Sequence, residues 1–191
     1  MMMGFLLFNA SPKRIAMIGL GGGSLAKFCH QHLTAEIRIA EINAHVLQLR
    51  DSFAIPKESD RFNIVLADGS DFIYHNRDFD VILVDGYDCD GLPEALSTPS
   101  FYRNCYRALT QGGIAVFNLV PFSPRYLERC GKIFDAFSNC HSFQDWEGLN
   151  NVVIATRGDV SAQVFKVPRE WSTADELSAT LNRMFMTRGN S

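Results

Sequence analysis

The stretch Arg14-Ile15-Ala16-Met17-Ile18-Gly19-Leu20-Gly21-Gly22-Gly23-Ser24 decides the fold. Arg14 to Leu20 is a compact apolar, partly β-branched run, the pattern of a parallel strand buried on both faces. The glycines permit a tight turn, and the spacing predicts a helix from Ser24 to Leu33. The same alternation continues outward. Glu36 to Ile42 reads as a second strand, and Ala44 to Phe53 as a helix with Val46, Leu47, Leu49 and Phe53 in one stripe, stopped by Pro56. Asn63 to Ala67 predicts a third strand, followed by a short helix through Phe72 and Ile73. Asp80 to Val84 predicts a fourth. A helix over Pro99 to Leu109, a turn at Thr110-Gln111-Gly112-Gly113, a strand over Ile114 to Val120 and a helix over Pro124 to Phe137 follow. His141 to Trp146 and Asn151 to Thr156 read as an antiparallel closing pair. Ser172-Thr173-Ala174-Asp175 resembles an N-cap before a last helix reaching Met186.

Strands separated by helices imply βαβ units and a parallel sheet covered on both faces. The expectation is an α/β doubly wound, Rossmann-like, mostly parallel sheet of about seven strands, forming a single domain over residues 1–191. Composition narrows the function classes. Eighteen Lys+Arg against 21 Asp+Glu give a net charge of −3, so no basic excess marks a nucleic-acid surface. The wholly apolar runs are strand-length, too short to span a membrane. Five cysteines, scattered and without a CxxC pair, argue against a disulfide framework and a structural zinc site. Reduced thiols in a cytoplasmic protein with no metal are the expectation. The apolar start Met1 to Phe8 has no positive stretch before it and no clear cleavage site, unlike a signal peptide.

Sheets of this class bind ligands at the carboxyl ends of their strands. The first strand ends in Gly19, Gly21 and Gly23. The second delivers Glu41, twenty residues after Gly21, where an acid can accept from ribose hydroxyls. The third ends in Asp68, followed by Gly69, and the fourth in Asp85, with Tyr87, Asp88 and Asp90 beyond. Together they describe an acidic crevice for a nucleoside of positive charge. A sulfonium fits, whereas a pyrophosphate fits poorly because nothing basic lines the loop. The blander readings are a helix cap for Asp68 and a solvated surface acid for Glu41. His30 and His32 stand near the end of the first helix, where the dipole favours a cation.

Residues 12–23, 40–43, 67–72 and 79–88, with Phe101-Tyr102 and 108–114, resemble the spermidine synthase (polyamine aminopropyltransferase) family. That family has a variant of the class I S-adenosylmethionine-dependent methyltransferase fold. The resemblance covers most of residues 12–157. It implies that Gly19, Gly21 and Gly23 wrap the sulfonium side of the donor, Glu41 binds ribose, and Asp68 with Gly69 meets adenine. Asp85 would be the base that takes the amine's proton. Asp88 would hold the amine, and Tyr87, where the family often has a small residue, would stack on or narrow the pocket. The implied donor is decarboxylated S-adenosylmethionine and the implied acceptor a diamine such as putrescine. Departures accompany the likeness. Gly22 stands where the family commonly has Asp, Cys89 and Leu92 where it has prolines, and Asn43 where it has a second acid. The family's small N-terminal β-domain has no counterpart in the thirteen residues before the first strand.

Aminopropyl transfer is therefore the leading expectation. A methyltransferase using S-adenosylmethionine, or a non-catalytic nucleoside-binding or dimerising module, is the alternative. An NAD dehydrogenase fits less well, because Ser24 replaces the third fingerprint glycine. A homodimer is expected from the resemblance and from Phe5-Leu6-Leu7-Phe8, which would leave an exposed apolar patch on a monomer.

Overall fold

The computed structural model describes residues 1–88, 91–144, 150–171 and 173–187. Seven strands form one sheet in the order β3-β2-β1-β4-β5-β7-β6. They are β1 (Arg14–Ile18), β2 (Glu36–Glu41), β3 (Phe62–Leu66), β4 (Phe79–Val84), β5 (Leu109–Leu119), β6 (Asn139–Gln144) and β7 (Asn151–Thr156). β1 to β5 pair in parallel, and β7 runs antiparallel to both β5 and β6. The helices are α1 (Ser24–His32), α2 (Ala44–Gln48), α3 (Gly69–His75), α4 (Pro99–Ala108), α5 (Tyr126–Ala136) and α6 (Ala174–Thr187). This is the doubly wound architecture, and the antiparallel closing pair, that the sequence predicts.

The period of two sorts the central strands into two apolar layers. Ile15, Met17, Val81, Leu83, Ile114 and Val116 face one way, toward Cys29 of α1 and Leu177 and Leu181 of α6. Ala16, Ile18, Ile82, Val84, Ala115 and Phe117 face the other, toward Ile73, Phe101, Tyr102 and Ile133 of α3 to α5. β1 lies between β2 and β4, so the chain winds outward in opposite directions from this pair. The carboxyl ends of β1 and β4 therefore flank the crevice where such sheets bind ligands.

Several local expectations are corrected. The helix predicted to Phe53 stops at Gln48. The chain leaves it through a left-handed Ala54 (φ 51°), which turns Ile55 into the core and leaves Leu49 and Phe53 exposed. The turn expected at 110–113 lies inside β5. The pairing with β4 slips between Phe79 and Val81, and Gly112 takes φ 78°, as a bulge requires. β1 ends two residues early, because the amide of Leu20 turns to a side chain of β2 rather than extending the ladder. Trp146, predicted in β6, and Ser172, predicted to cap α6, lie outside the described residues. His30 and His32 do not favour a cation: burial lowers both pKa values, with Arg61 adding to the effect at His30. His32 packs between Phe28 and Trp171.

The apolar start is not an exposed patch. Met2–Leu7 form a short 3-10 turn in which Phe5, Leu6 and Leu7 are at most 3% exposed. Gly4 sits so tightly against Met184 of α6 and Ile154 of β7 that a Cβ there would lie 2.4 Å and 2.8 Å from their side chains. The segment folds onto the domain's own core, which removes the physical ground given for dimerisation.

Candidate active site

The glycine loop follows the carboxyl end of β1 and lines the crevice between β1 and β4. Gly19 has φ 92°, and a Cβ on it would stand 2.5 Å from the Asp85 carbonyl, so only glycine allows the two backbones to approach this closely. The Asp85 amide donates to Ile18 O at 2.9 Å and the Gly19 amide to Ala40 O at 2.9 Å. The ends of β1, β2 and β4 are thereby locked together. Gly23 (φ 72°) caps α1 with its backbone against the Ile55 side chain. Gly21 (φ 52°) and Gly22 meet nothing within 4 Å on the side where a Cβ would stand. The crevice is lined by Met17, the run from Gly19 to Ala26, and Asp85. Asp85 is the one charged side chain in that lining, so the local field favours a cation.

Glu41 is not a solvated surface acid. It is 6% exposed, accepts from the Leu20 amide at 2.8 Å through one oxygen and from the Asn43 amide at 2.8 Å through the other. Two backbone donors offset the desolvation of the carboxylate. Each oxygen keeps a further lone pair for a hydroxyl. Asp68 does fill the bland role, since its Oδ1 accepts from Ser70 N at 2.7 Å and Asp71 N at 3.1 Å and caps α3. Gly69 is a packing glycine: a Cβ there would lie 2.3 Å from Ile18 Cγ2.

Asp85 is half-buried and accepts from Asn118 Nδ2 at 2.9 Å. Tyr87 turns down onto the apolar layer beneath α3 to α5 and donates from its hydroxyl to the Asn118 carbonyl at 2.9 Å. Burial raises the Tyr87 pKa, the Asp85 charge adds to this, and the Arg129 guanidinium opposes it. The phenol is therefore a neutral donor at ordinary pH. Asp88 is exposed, and its backbone amide and carbonyl pair with those of Gly91. Asp90 and Cys89 lie outside the described residues.

Two residues of this neighbourhood were not anticipated. Asn118 is the sole polar side chain in the run from Ile114 to Val120, and that break in an apolar strand was a legible signal. Arg129 is 8% exposed on α5, and nothing in its sequence surroundings marks it as buried.

Residues 1–120 match the spermine/spermidine synthase domain. The chain belongs to the spermine/spermidine synthase family. A polyamine aminopropyltransferase of Chromobacterium violaceum is 38% identical over 169 residues, 86% of this chain and 61% of that protein. One of Neisseria meningitidis is 41% identical over 143 residues, 70% of this chain and 54% of that protein. The chain thus spans between half and two thirds of these relatives. Among solved structures, a spermidine synthase in complex with the transition-state analogue AdoDATO superposes with a TM-score of 0.75 at 21% identity. It covers 94% of this chain and 71% of the other. Human methyltransferase-like protein 13 in complex with SAH gives 0.69 at 24%, covering 95% and 85%. Both likenesses are of fold, and they span the aminopropyltransferase and methyltransferase readings alike. Within the described residues, no helix is long and apolar enough to cross a membrane.

Proposed function

We propose that the chain transfers an aminopropyl group from decarboxylated S-adenosylmethionine to a diamine such as putrescine. The observation that carries this reading is the contact of Gly19 with the Asp85 backbone, which holds a carboxylate beside the donor loop in a crevice with no cation in its lining. The family membership and the names of the relatives support it. In this reading Gly19, Gly21 and Gly23 leave room for the sulfonium side of the donor. Glu41 accepts from the ribose and Asp68 with Gly69 meets the adenine. The acceptor nitrogen attacks the carbon next to sulfur, the C–S bond breaks, and its electron pair leaves with sulfur as neutral methylthioadenosine. Asp85 takes the proton that the nitrogen sheds. Asp88 holds the far, cationic end of the diamine, and Tyr87 narrows the pocket behind it.

The experiment is incubation with the donor and a panel of amines, with methylthioadenosine as the readout. No methylthioadenosine from any amine, while the donor still binds, overturns the reaction. One observation favours a methyltransferase as the second reading: Gly22 offers no acid to attract an aminopropyl cation or repel a carboxylate. A nucleoside-binding module without catalysis is the third, and it predicts binding without turnover of either donor. Assembly as a homodimer rests on the family resemblance alone, and sedimentation at high micromolar concentration tests it. A cytoplasmic location rests on the free thiols of Cys29, Cys105, Cys130 and Cys140. Folding of residues 1–191 as a single domain is supported by the packing of the N-terminal turn and α6 on a shared core.

A further inference from the structure

Arg129 is a buried cation in an unfavourable place. It stands at the end of the first turn of α5, toward the positive pole of the helix. Among the described residues no carboxylate lies at ion-pair distance from it. Its Nε has no hydrogen-bond partner there, nor has the hydroxyl of the fully buried Tyr102, whose pKa burial raises and the Arg129 charge opposes. An apolar side chain of similar volume would fill such a position at lower desolvation cost.

What Arg129 does touch are two loops. Nη2 donates to Leu92 O at 3.0 Å, in the loop that follows Asp85. Nη1 donates to Ser123 Oγ at 3.2 Å, in the loop that follows Asn118 and leads into α5. Three residues on, Lys132 donates to Ser97 O at 3.1 Å, at the far end of the first loop. One face of α5 thus holds the β4 loop at two carbonyls, and Arg129 adds a side-chain tie between that loop and its neighbour after β5, beside the contact of Tyr87 with Val120. Among the described residues, no hydrogen bond from α5 reaches the glycine loop, Glu41 or Asp68.

We propose that Arg129 is a positioning residue for the acceptor side of the site, fastening the β4 and β5 loops to each other while leaving donor binding untouched. A planar, forked guanidinium suits this because it reaches two acceptors on different segments at once, which a lysine does not. The acceptor role of these loops rests on the proposed transfer reaction; the fastening itself does not.

The test uses the full chain with Arg129→Met and Arg129→Lys. Backbone amide exchange over residues 91–97, affinity for decarboxylated S-adenosylmethionine by calorimetry, and KM for putrescine are measured. In Arg129→Met, exchange over 91–97 should quicken and the acceptor KM should rise about tenfold, a modest misplacement on the scale known for positioning groups. Donor affinity should stay within about twofold of the parent by the same reasoning. Arg129→Lys, which keeps the charge and one contact, should fall between and guards against a variant that does not fold. Unchanged exchange over 91–97, or donor affinity lost as steeply as acceptor KM, overturns the proposal. Should the parent chain turn over no amine, the transfer reading fails by itself, and the exchange measurement still decides the role of Arg129.

Discussion

The amide of Asn118 donates to Asp85 Oδ1 at 2.9 Å, so the carboxylate proposed as base is held from the neighbouring strand and not by its own loop. That bond fixes one oxygen of a carboxylate that lines the crevice. Replacing Asn118 by Leu keeps the branching and number of side-chain heavy atoms and removes the donor. The expected result is a fall in kcat of about 10- to 100-fold with donor affinity unchanged, the signature of lost orientation. Steady-state kinetics paired with donor calorimetry checks it; a variant with parental kcat would remove Asn118 from the mechanism.

Asp85→Asn is nearly isosteric and keeps a side chain between Asn118 and the crevice. Turnover should disappear, because an amide cannot take the amine's proton. Nucleoside affinity should persist, since the contacts assigned to ribose and adenine lie on β2 and β3. Persistent turnover would show that Asp85 is not the base.

Gly22 is expected to govern the choice of donor. Its Cβ position is open and its φ is not left-handed, so an introduced side chain costs no strain. The parent should discriminate weakly between decarboxylated and intact S-adenosylmethionine. Gly22→Asp should favour the decarboxylated form by about ten- to a hundredfold, on the order of 1–3 kcal/mol for a charge-assisted contact. Calorimetry with both donors decides this, and a strong preference in the parent would count against it.

The glycines of the loop should differ in what they tolerate. Gly19→Ala combines a left-handed φ with a Cβ 2.5 Å from backbone and should cost about 3 kcal/mol or more. Gly21→Ala carries the backbone strain without a clash and should cost about 1–2 kcal/mol. Gly22→Ala should be neutral or slightly stabilising. Urea midpoints rank the three, and any other order would contradict the loop geometry.

Alkali should destabilise the fold through its buried thiols. Burial pushes Cys29 and Cys140 up to about 12 from 9.0. With the folded pKa above the unfolded one, their contribution is complete below pH 9 and is lost as pH rises toward 12. Above pH 9 each such thiol contributes a slope of about −1.4 kcal/mol per pH unit. Cys29→Ala should flatten the decline measured by urea unfolding at pH 8, 9 and 10.

Strand positions were legible because a strand buried on both faces shows as an unbroken apolar run, as residues 15–18 and 81–84 do. Where the chain departs from the pattern, the cause is a contact distant in sequence. α2 ends early because Ile55 is taken up beside Gly23, and β5 starts early because Leu109 pairs with Phe79. Glycine loop, Glu41, Asp68 and Asp85 could be read because parallel topology brings consecutive strand ends to one edge. Asn118 and Arg129 were missed because their importance lies in what they meet across strands and loops. The burial of Phe5 to Leu7 was equally out of reach, since apolar residues at a chain end read alike whether their cover is their own core or another surface.

The two backbone links among β1, β2 and β4 also divide the labour of evolution. Because Gly19, Ala40, Ile18 and Asp85 are joined main chain to main chain, the height of the glycine loop above Asp85 is set by backbone atoms, and it is disturbed only where a substitution, as at Gly19, presses a Cβ into that contact. The segments after β4 and β5 hang outside that frame. A change of acceptor is therefore best sought by grafting residues 87–97 and 120–125 together, with the frame carried over intact.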